Sequence, residues 1–494
     1  MRIGSAMEMR NHGQLTEVRP SLRSLDRYVP VVGEERVQAL AKRARTLADQ
    51  FDGASVWNLN STAVGGGVAE MLRPLVGYAR GAGIDCRWCV IHGEPGFFRL
   101  TKRIHHALHG SAGDGSPLDA AARRAYEEAL RPNAMELASL LGPDDVVILH
   151  DPQTAGLIPA VLELGARVVW RCHIGHDQRN AEVDRGWAFL APYLDRAEAT
   201  VFSRDAYVPD CCDTGRSRII QPGIDVFSPK NQEMTPEVVD AILVETGILE
   251  GPPPPGVALT FERPDGTPGR VERAADVLRL GRAVRRDVPL IVQVSRWDPL
   301  KDPIGVMEGF RVLLHRHPGF DAELVLAGPN VKAVADDPEG DRVYEAVAEA
   351  WRALPHALRK RVHLAMLPTA DGSENAAIVN AIQRRAHVIV QKSLHEGFGL
   401  TVTEALWKGR PVVASAVGGI QDQIEDGVSG VLLPDPTDTE AFARALFELI
   451  EAPERAARIG AAGRERAREQ FLGIRQLEDY TALLEDLLAR RPAS

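Results

Sequence analysis

Short apolar runs, many of them β-branched, recur along this chain and alternate with longer stretches of helical periodicity, the pattern of parallel sheets built from βαβ units. In the first half the runs fall near 54–59 (ASVWNL), 86–91 (CRWCVI), 145–150 (DVVILH), 167–172 (RVVWRC) and 199–203 (ATVFS). In the second half they fall at 289–295 (PLIVQVS), 322–328 (AELVLAG), 362–366 (VHLAM), 387–391 (HVIVQ), 411–415 (PVVAS) and 430–434 (GVLLP). Each set predicts one sheet, so two doubly wound α/β domains are expected, which suits a length about three times that of a typical domain. Between them lie QPGIDVFSPKN and GPPPPGVALTFERPDGTPGR, rich in residues that resist regular structure. The expected domains are therefore 1–230 and 231–470, joined near 225–235, with an exposed insertion near 251–270. A last charged helix is expected at about 455–490, with the end of the chain, 471–494, packing back on the N-terminal domain.

Charge and cysteine content exclude several classes of function. Lys and Arg total 58 against 68 Asp and Glu, a net charge of −10, so no global basic field attracts nucleic acid. No apolar run is long enough to cross a membrane, and residues 1–10 lack the apolar core of a signal peptide, which predicts a cytoplasmic protein without a membrane partner. The five cysteines are too few and too scattered for a disulfide scaffold or a zinc cage, and free thiols are expected. Cys86 and Cys89 form a CxxC pair, but on a strand positions i and i+3 point to opposite faces, which removes a redox or zinc role.

In open α/β sheets ligands bind outside the carboxyl ends of the strands, so the loops after the strands carry the candidate chemistry. Gly65, Gly66 and Gly67 follow a strand and open an amphipathic helix, where glycine permits close backbone approach and free N–H groups face an anion. A tight turn without a ligand explains them equally well. In SRWDPLKDP, Arg296 and Lys301 flank a strand end, with Asp302 as helix N-cap and Pro303 at the first helical position. A guanidinium, an ammonium and a helix N-terminus together suit a diphosphate.

HEGFGLTVTEALWKG, 395–409, is the most informative stretch. Glu396 and Glu404 bracket Gly397 and Gly399 at the start of a helix, so that backbone N–H groups are offered to an anion and carboxylates to sugar hydroxyls. Thr401 and Glu404 also spell a capping box, a structural role that competes with ligand binding for Glu404. Glu396 has no such competing role. His173, His176 and Asp177 in WRCHIGHD, and Asp151 and Gln153 in HDPQ, follow two further strands and suggest an acceptor pocket, His173 being preferred to His176. Their spacing fits no zinc motif, no Asp-x-Asp occurs, and no GxSxG elbow offers a nucleophilic serine, so neither a metal nor a protein nucleophile is expected.

Taken together, EGFGLTVTE, SRWDPLKD, PGID at 222–225 and the Gly-rich loop at 65–67 resemble the retaining glycosyltransferases of the GT-B fold. VWNLNSTAVGGGVAEML, HGEPGFFRLTKRIHH, HDPQTAGLIP and WRCHIGHD resemble the glycosyltransferring trehalose synthases within them. The resemblance covers roughly residues 35–480 apart from the insertion, which departs from the pattern. It implies two Rossmann-like domains facing a central cleft, and transfer of glucose from a nucleoside diphosphate glucose (ADP-, UDP- or GDP-glucose) to free glucose, giving trehalose. It further implies that Arg296 and Lys301 hold the donor diphosphate, and that Gly397, Phe398, Gly399 and Leu400 contact the donor glucose and phosphates through their amides. Glu396 would bind the donor sugar and Glu404 the ribose, with His173 beside the reacting centre. Gly66 and Gly67 would close over the phosphates, and Asp151 and Gln153 would face the acceptor. No cofactor is required on this reading, a metal is not essential, the partners are small sugars, and a homodimer is the candidate assembly.

Three other readings share these residues. A trehalose phosphorylase would use phosphate in place of the nucleotide; a silent sugar-nucleotide binding protein would keep the cations without turnover; and a sugar-nucleotide epimerase can share the two-domain fold.

Overall fold

In the computed structural model, residues 7–64, 66–331 and 338–490 are described. The chain divides into two units, Met1–Gly223 with Leu472–Ser494, and Ile224–Phe471.

The first unit is built on a sheet of eight strands: β1 (Met7–Asn11), β2 (Leu15–Pro20), β3 (Val56–Asn60), β4 (Cys86–Ile91), β5 (Val146–His150), β6 (Arg167–Arg171), β7 (Ala199–Phe202) and β8 (Ser217–Ile219). Their order is β1-β2-β4-β3-β5-β6-β7-β8. β4 to β8 run parallel, whereas β1, β2 and β4 pair antiparallel. The five runs read from the sequence are β3 to β7. The hairpin β1–β2 and the short edge strand β8 add to them, being too brief or too polar to show the same signal. β3, β5 and β6 are almost wholly buried, which is why they read as continuous apolar runs.

The strand order reverses between β3 and β5, both of which pair in parallel. That position is a topological switch point, where crossover helices leave on opposite faces and a crevice opens at the strand carboxyl ends.

In the second unit a helix, Pro236–Glu245, precedes a two-stranded hairpin, β9 (Thr260–Glu262) and β10 (Pro268–Arg270). A seven-stranded sheet follows from β11 (Asp276–Leu278), β12 (Leu290–Val294), β13 (Glu323–Pro329), β14 (Val362–Leu367), β15 (Val388–Gln391), β16 (Val412–Ser415) and β17 (Val431–Leu433). Its order, β11-β14-β13-β12-β15-β16-β17, is parallel from β14 to β17, with β11 antiparallel at the edge. The reversal lies between β12 and β15, making this the second switch point.

Most of the segment 251–270 is exposed, but it is anchored: Phe261 is buried, and Arg263 forms a two-pronged ion pair with Asp371, the N-cap of the helix Gly372–Arg385. The last charged helix is two helices, Pro453–Gln470 and Gly473–Ala489, because Phe471 and Leu472 are fully buried and Leu472 is extended. The boundary between units falls at Gly223 and Ile224, seven residues before the expected one. There Ile224 N donates to Phe471 O (2.9 Å), so the outgoing and returning chains lie side by side. The helix Gly473–Ala489 belongs to the first unit, where Arg36 and Arg43 form ion pairs with Glu478 (2.8 Å) and Glu485 (2.7 Å).

Candidate active site

Each unit places its candidate residues at its own switch point. In the first unit the turn after β3 leads to Gly66, whose φ of 79° falls in the region glycine occupies without strain. Gly66 is the N-cap of the helix Gly67–Gly81 and supplies no side-chain cap, so the N–H groups of the first turn, from Gly67 on, keep their capacity for an anion. A Cβ on Gly66 would meet nothing within 4 Å, so backbone conformation rather than space requires glycine there. Gly65 lies outside the described residues.

At the carboxyl end of β5 stands a chain of neutral rings. Asn58 Oδ1 and His150 Nε2 are 3.1 Å apart, and His150 Nδ1 and His173 Nε2 are 3.0 Å apart, with the two rings parallel within 10°. Asn58 Nδ2 faces Cys86 Sγ and Arg87 O, so its carbonyl oxygen turns to His150. His150 Nε2–H therefore donates to Asn58, His173 Nε2–H donates to His150 Nδ1, and His173 Nδ1 is left as a lone-pair acceptor. Burial, reinforced by Arg171, pulls His150 down to about 3, and the same causes hold His173 well below the ordinary histidine range. Both rings stay uncharged at neutral pH.

Asp151 fixes this arrangement. Its φ of 64° is unusual for a residue with a side chain, and its Oδ1 accepts from His173 N at 2.7 Å. Burial pushes its carboxyl up to about 7, against the opposing pull of His173 N and of Arg171. Arg171 is fully buried and donates to Phe202 O (2.9 Å) and Ser203 Oγ (3.1 Å). Gln153 lies half-buried in the same turn. His176 is occupied locally, its Nδ1 2.7 Å from Gln178 O, and Asp177 forms an ion pair with Arg204. Of the HDPQ and WRCHIGHD residues, then, His173 and Asp151 meet directly.

In the second unit the loops after β12 and β15 are sewn together. Gln293 Nε2 donates to Lys301 O (2.8 Å), Leu394 N donates to Leu300 O (2.8 Å), and Lys301 Nζ pairs with Glu396 Oε2 at 2.5 Å. Ser393 Oγ donates to the same carboxylate oxygen at 3.3 Å. Asp302 is the N-cap of the helix Pro303–Arg316, accepting from Gly305 N at 3.0 Å with Pro303 in the first turn, and its other oxygen takes the buried ammonium of Lys392. Arg296 differs from Lys301: its side chain is 75% exposed and stands 3.6 Å from Asp298. It is a projecting cation, whereas Lys301 is held.

Gly399, with φ 85°, is the N-cap of the helix Leu400–Trp407 and brings no side-chain cap, so here too a helix N-terminus keeps its donors. Phe398 is buried against Gly419 and Phe471 and anchors the turn, and Gly397 O accepts from Gly419 N (3.0 Å). The capping box expected from Thr401 and Glu404 does not form. With Gly399 as N-cap, Thr401 and Glu404 already lie inside the helix, and Glu404 turns inward, 5% exposed, to lie 3.5 Å from Lys230 Nζ. Lys408, one turn on, is buried against Asn231 Oδ1 (3.0 Å) and Glu404 O (3.2 Å), and burial lowers its ammonium to about 7.

Asn58, His150, Arg171, Lys230, Lys392 and Lys408 were not singled out from the sequence. His150 and Lys392 carried the signal applied to their neighbours, a polar residue ending an apolar strand. Lys230 lies in the irregular join and offered none. The five cysteines are free, and burial raises Cys86 and Cys89 to about 12. Among the described residues no group of three or more His, Cys, Asp or Glu could hold a metal ion, and no helix is long and apolar enough to cross a membrane.

Comparison with known proteins gives this geometry a family. Residues 58–209 match the family described as "Trehalose synthase, N-terminal domain", and residues 281–466 match "Glycosyl transferases group 1". The chain is 35% identical over 479 residues to the trehalose synthase of Pyrococcus horikoshii, covering 96% of this chain and 99% of that one. It belongs to the trehalose synthase family. A trehalose phosphorylase of Pleurotus pulmonarius is 28% identical over 86% of this chain but only 56% of its own length. Among solved structures, a UDP-forming α,α-trehalose-phosphate synthase of Burkholderia xenovorans superposes with a TM-score of 0.65 over 89% of this chain and all of that one, at 16% identity, a likeness of fold. The protein is thus a glycosyltransferase of the GT-B fold with two Rossmann-like units.

Proposed function

We propose that this protein is a retaining glucosyltransferase that joins the glucose of a nucleoside diphosphate glucose to free glucose, making trehalose reversibly. The observation that carries this reading is the Lys301–Glu396 pair across the β12/β15 switch point, beside the uncapped helix N-terminus at Gly399. A cation, a carboxylate and backbone donors stand within one loop pair, which suits an anionic group attached to a polyhydroxylated one.

On this reading Lys301 and the projecting Arg296 hold the diphosphate and stabilise the charge that grows on it as the bond to glucose C1 breaks. Glu396 accepts from donor hydroxyls, and Glu404 with Lys230 serves the ribose. The amides of Gly397 to Leu400 face the phosphates, and those after Gly66 are offered to an anion at the first unit's own switch point. His173 offers its Nδ1 lone pair to a sugar hydroxyl. Asp151, whose carboxylate is spent on His173 N, is a positioning residue, and Gln153 is left for the acceptor. The new C1–O bond forms on the face from which the diphosphate leaves, and the acceptor proton passes to the departing phosphate oxygen. No protein nucleophile takes part.

The second reading, phosphorolysis of trehalose, is favoured by the likeness to the fungal phosphorylase. Incubation with ADP-, UDP- or GDP-glucose and glucose, followed by identification of the disaccharide and the released nucleotide, tests the first. Trehalose with inorganic phosphate and no nucleotide tests the second. Nucleoside diphosphate release with trehalose supports the proposal, whereas glucose 1-phosphate formed only from trehalose and phosphate replaces it.

A further inference from the structure

A cavity of about 310 Å³ opens in the second unit at the end of the sheet opposite to Lys301 and Glu396. His387 directly precedes β15, Arg410 lies just before β16, and His387 Nδ1 accepts from Leu290 N at the start of β12 (3.0 Å). The cavity is therefore at the amino ends of these strands. Its polar wall consists of Arg286, Arg384, Arg385, Arg410, His387 and Asp240, and its apolar wall of Met234, Pro236 and Val239.

The charges do not balance. Asp240 pairs with Arg286 (3.1 Å) and stands 3.7 Å from Arg385, while Glu233 takes Arg384 (2.8 Å) and Arg464 (2.8 Å). Four guanidinium groups thus share two carboxylates, and a fifth, that of Arg410, has none. Arg286, Arg384 and Arg385 are further fixed by backbone carbonyls, Arg286 on Glu250 O and Pro252 O, Arg384 on Gln232 O and Arg385 on Arg286 O (2.7 Å). Arg410 has no such partner: its Nε is buried without a hydrogen bond, and among the described residues no carboxylate pairs with it. It is surrounded instead by like charge, that of Arg384 and Arg385. Since His387 Nδ1 accepts a backbone bond, its Nε2 carries the proton and adds a neutral donor. A half-buried guanidinium whose Nε is shut off from water and which faces like charge is costly unless an anion completes it.

We propose that this cavity is a second anion site that takes the phosphate group of a small phosphate monoester, with Arg410 and Arg385 as its principal ligands. The volume exceeds that of a bare phosphate, and the apolar wall of Met234, Pro236 and Val239 leaves room for a carbon skeleton such as a sugar. The site is complete within the second unit and does not depend on the assigned glucosyl transfer.

Calorimetric titration of the full chain with inorganic phosphate and, separately, glucose 6-phosphate, at millimolar ligand and constant ionic strength, tests it. Thermal melting with and without each ligand gives a second readout. Binding of glucose 6-phosphate to the parent protein and to Lys301→Ala, weakened roughly tenfold or more by Arg410→Gln and by Arg385→Gln, is the expected result. Tighter binding of glucose 6-phosphate than of phosphate assigns the apolar wall to the sugar, and equal binding assigns the site to the phosphate group alone; both support the anion site. Because Arg410 makes no side-chain hydrogen bond through Nε and sits among cations, Arg410→Gln should melt no earlier than the parent without ligand. Absence of binding by either ligand, or binding unchanged in both arginine variants, overturns the proposal.

Discussion

Lys301 Nζ stands 2.5 Å from Glu396 Oε2, and this pair ties the loop after β12 to the loop after β15 at the point where the strand order reverses. Both side chains are largely buried, at 15% and 12% exposure, so the cation does not wander over the surface but is held where a ligand at the switch point would meet it. Arg296, on the same loop, is held far less.

That contrast separates two substitutions expected to act alike on turnover. Lys301→Ala and Arg296→Ala should each lower donor use by roughly a hundredfold, the loss of a charge-assisted phosphate contact. Lys301→Ala should also cost about 1–3 kcal/mol of stability, because Glu396 loses a buried partner. Arg296→Ala should leave the melting temperature unchanged. Steady-state kinetics and thermal unfolding on both variants check this, and near-normal turnover in both removes the diphosphate assignment.

Asp151 should impress a distinct pH dependence on stability. A carboxyl raised from its ordinary value to about 7 binds its proton more tightly folded than unfolded, so its contribution is full below about pH 4 and is lost as pH rises through 7. His150, lowered to about 3, acts with opposite sign: its contribution is full above about pH 6.5 and is lost as pH falls towards 3. The difference in stability between the parent and Asp151→Asn isolates the carboxyl. It should move against the parent as pH rises from 4 to 7, with Asn still able to accept from His173 N. A flat difference over that range would show that Asp151 is ionised throughout.

The parts of the fold legible in the sequence are those whose burial is two-sided. β3, β5, β12 and β14 are enclosed by helices on both faces, so each strand is an apolar run that no exposed position interrupts. The β1–β2 hairpin and β11 lie at sheet edges and carry polar residues, which hides them. Local signals at the site also held where a backbone conformation demanded them, as at Gly399 and at Asp302 before Pro303. The capping box failed for a tertiary reason: the turn begins at Gly399, two residues earlier than Thr401, because Phe398 is pinned in the core and Glu404 is drawn to Lys230. A pairing over such a separation leaves no periodic trace. Neither does the chain from Asn58 through His150 to His173, whose members come from two strands and the loop after a third.

Activity should survive a chelator. Arg296, Lys301 and the donors of the uncapped helix N-terminus at Gly399 can neutralise a diphosphate in the way a divalent cation does elsewhere. Turnover with and without EDTA, then with added magnesium or manganese, measures this. Complete loss with EDTA that either cation restores would contradict it, whereas mild stimulation would not.

The two glutamates of the HEGFGLTVTE loop should separate under conservative substitution. Glu396→Gln keeps size and one acceptor oxygen but removes the charge that receives Lys301, so turnover should fall sharply while melting shifts little, since Ser393 and Lys301 can still reach the amide oxygen. Glu404→Gln faces a different environment. Its carboxylate is 5% exposed, 3.5 Å from Lys230 and one turn from buried Lys408, so the substitution leaves two ammonium groups without their nearest anion. Breaking such a pair on one side costs a few kcal/mol, and melting should fall clearly. Lys230→Met added to Glu404→Gln should recover part of that loss, a coupling that a capping residue would not show. If Glu404 also binds the ribose, the apparent KM for the donor should rise in the single variant and stay high in the double one, since restored packing does not restore a ribose acceptor. Should Glu396→Gln instead melt much earlier and keep full turnover per folded molecule, Glu396 is a structural anchor for Lys301, and the donor assignment of the loop fails with it.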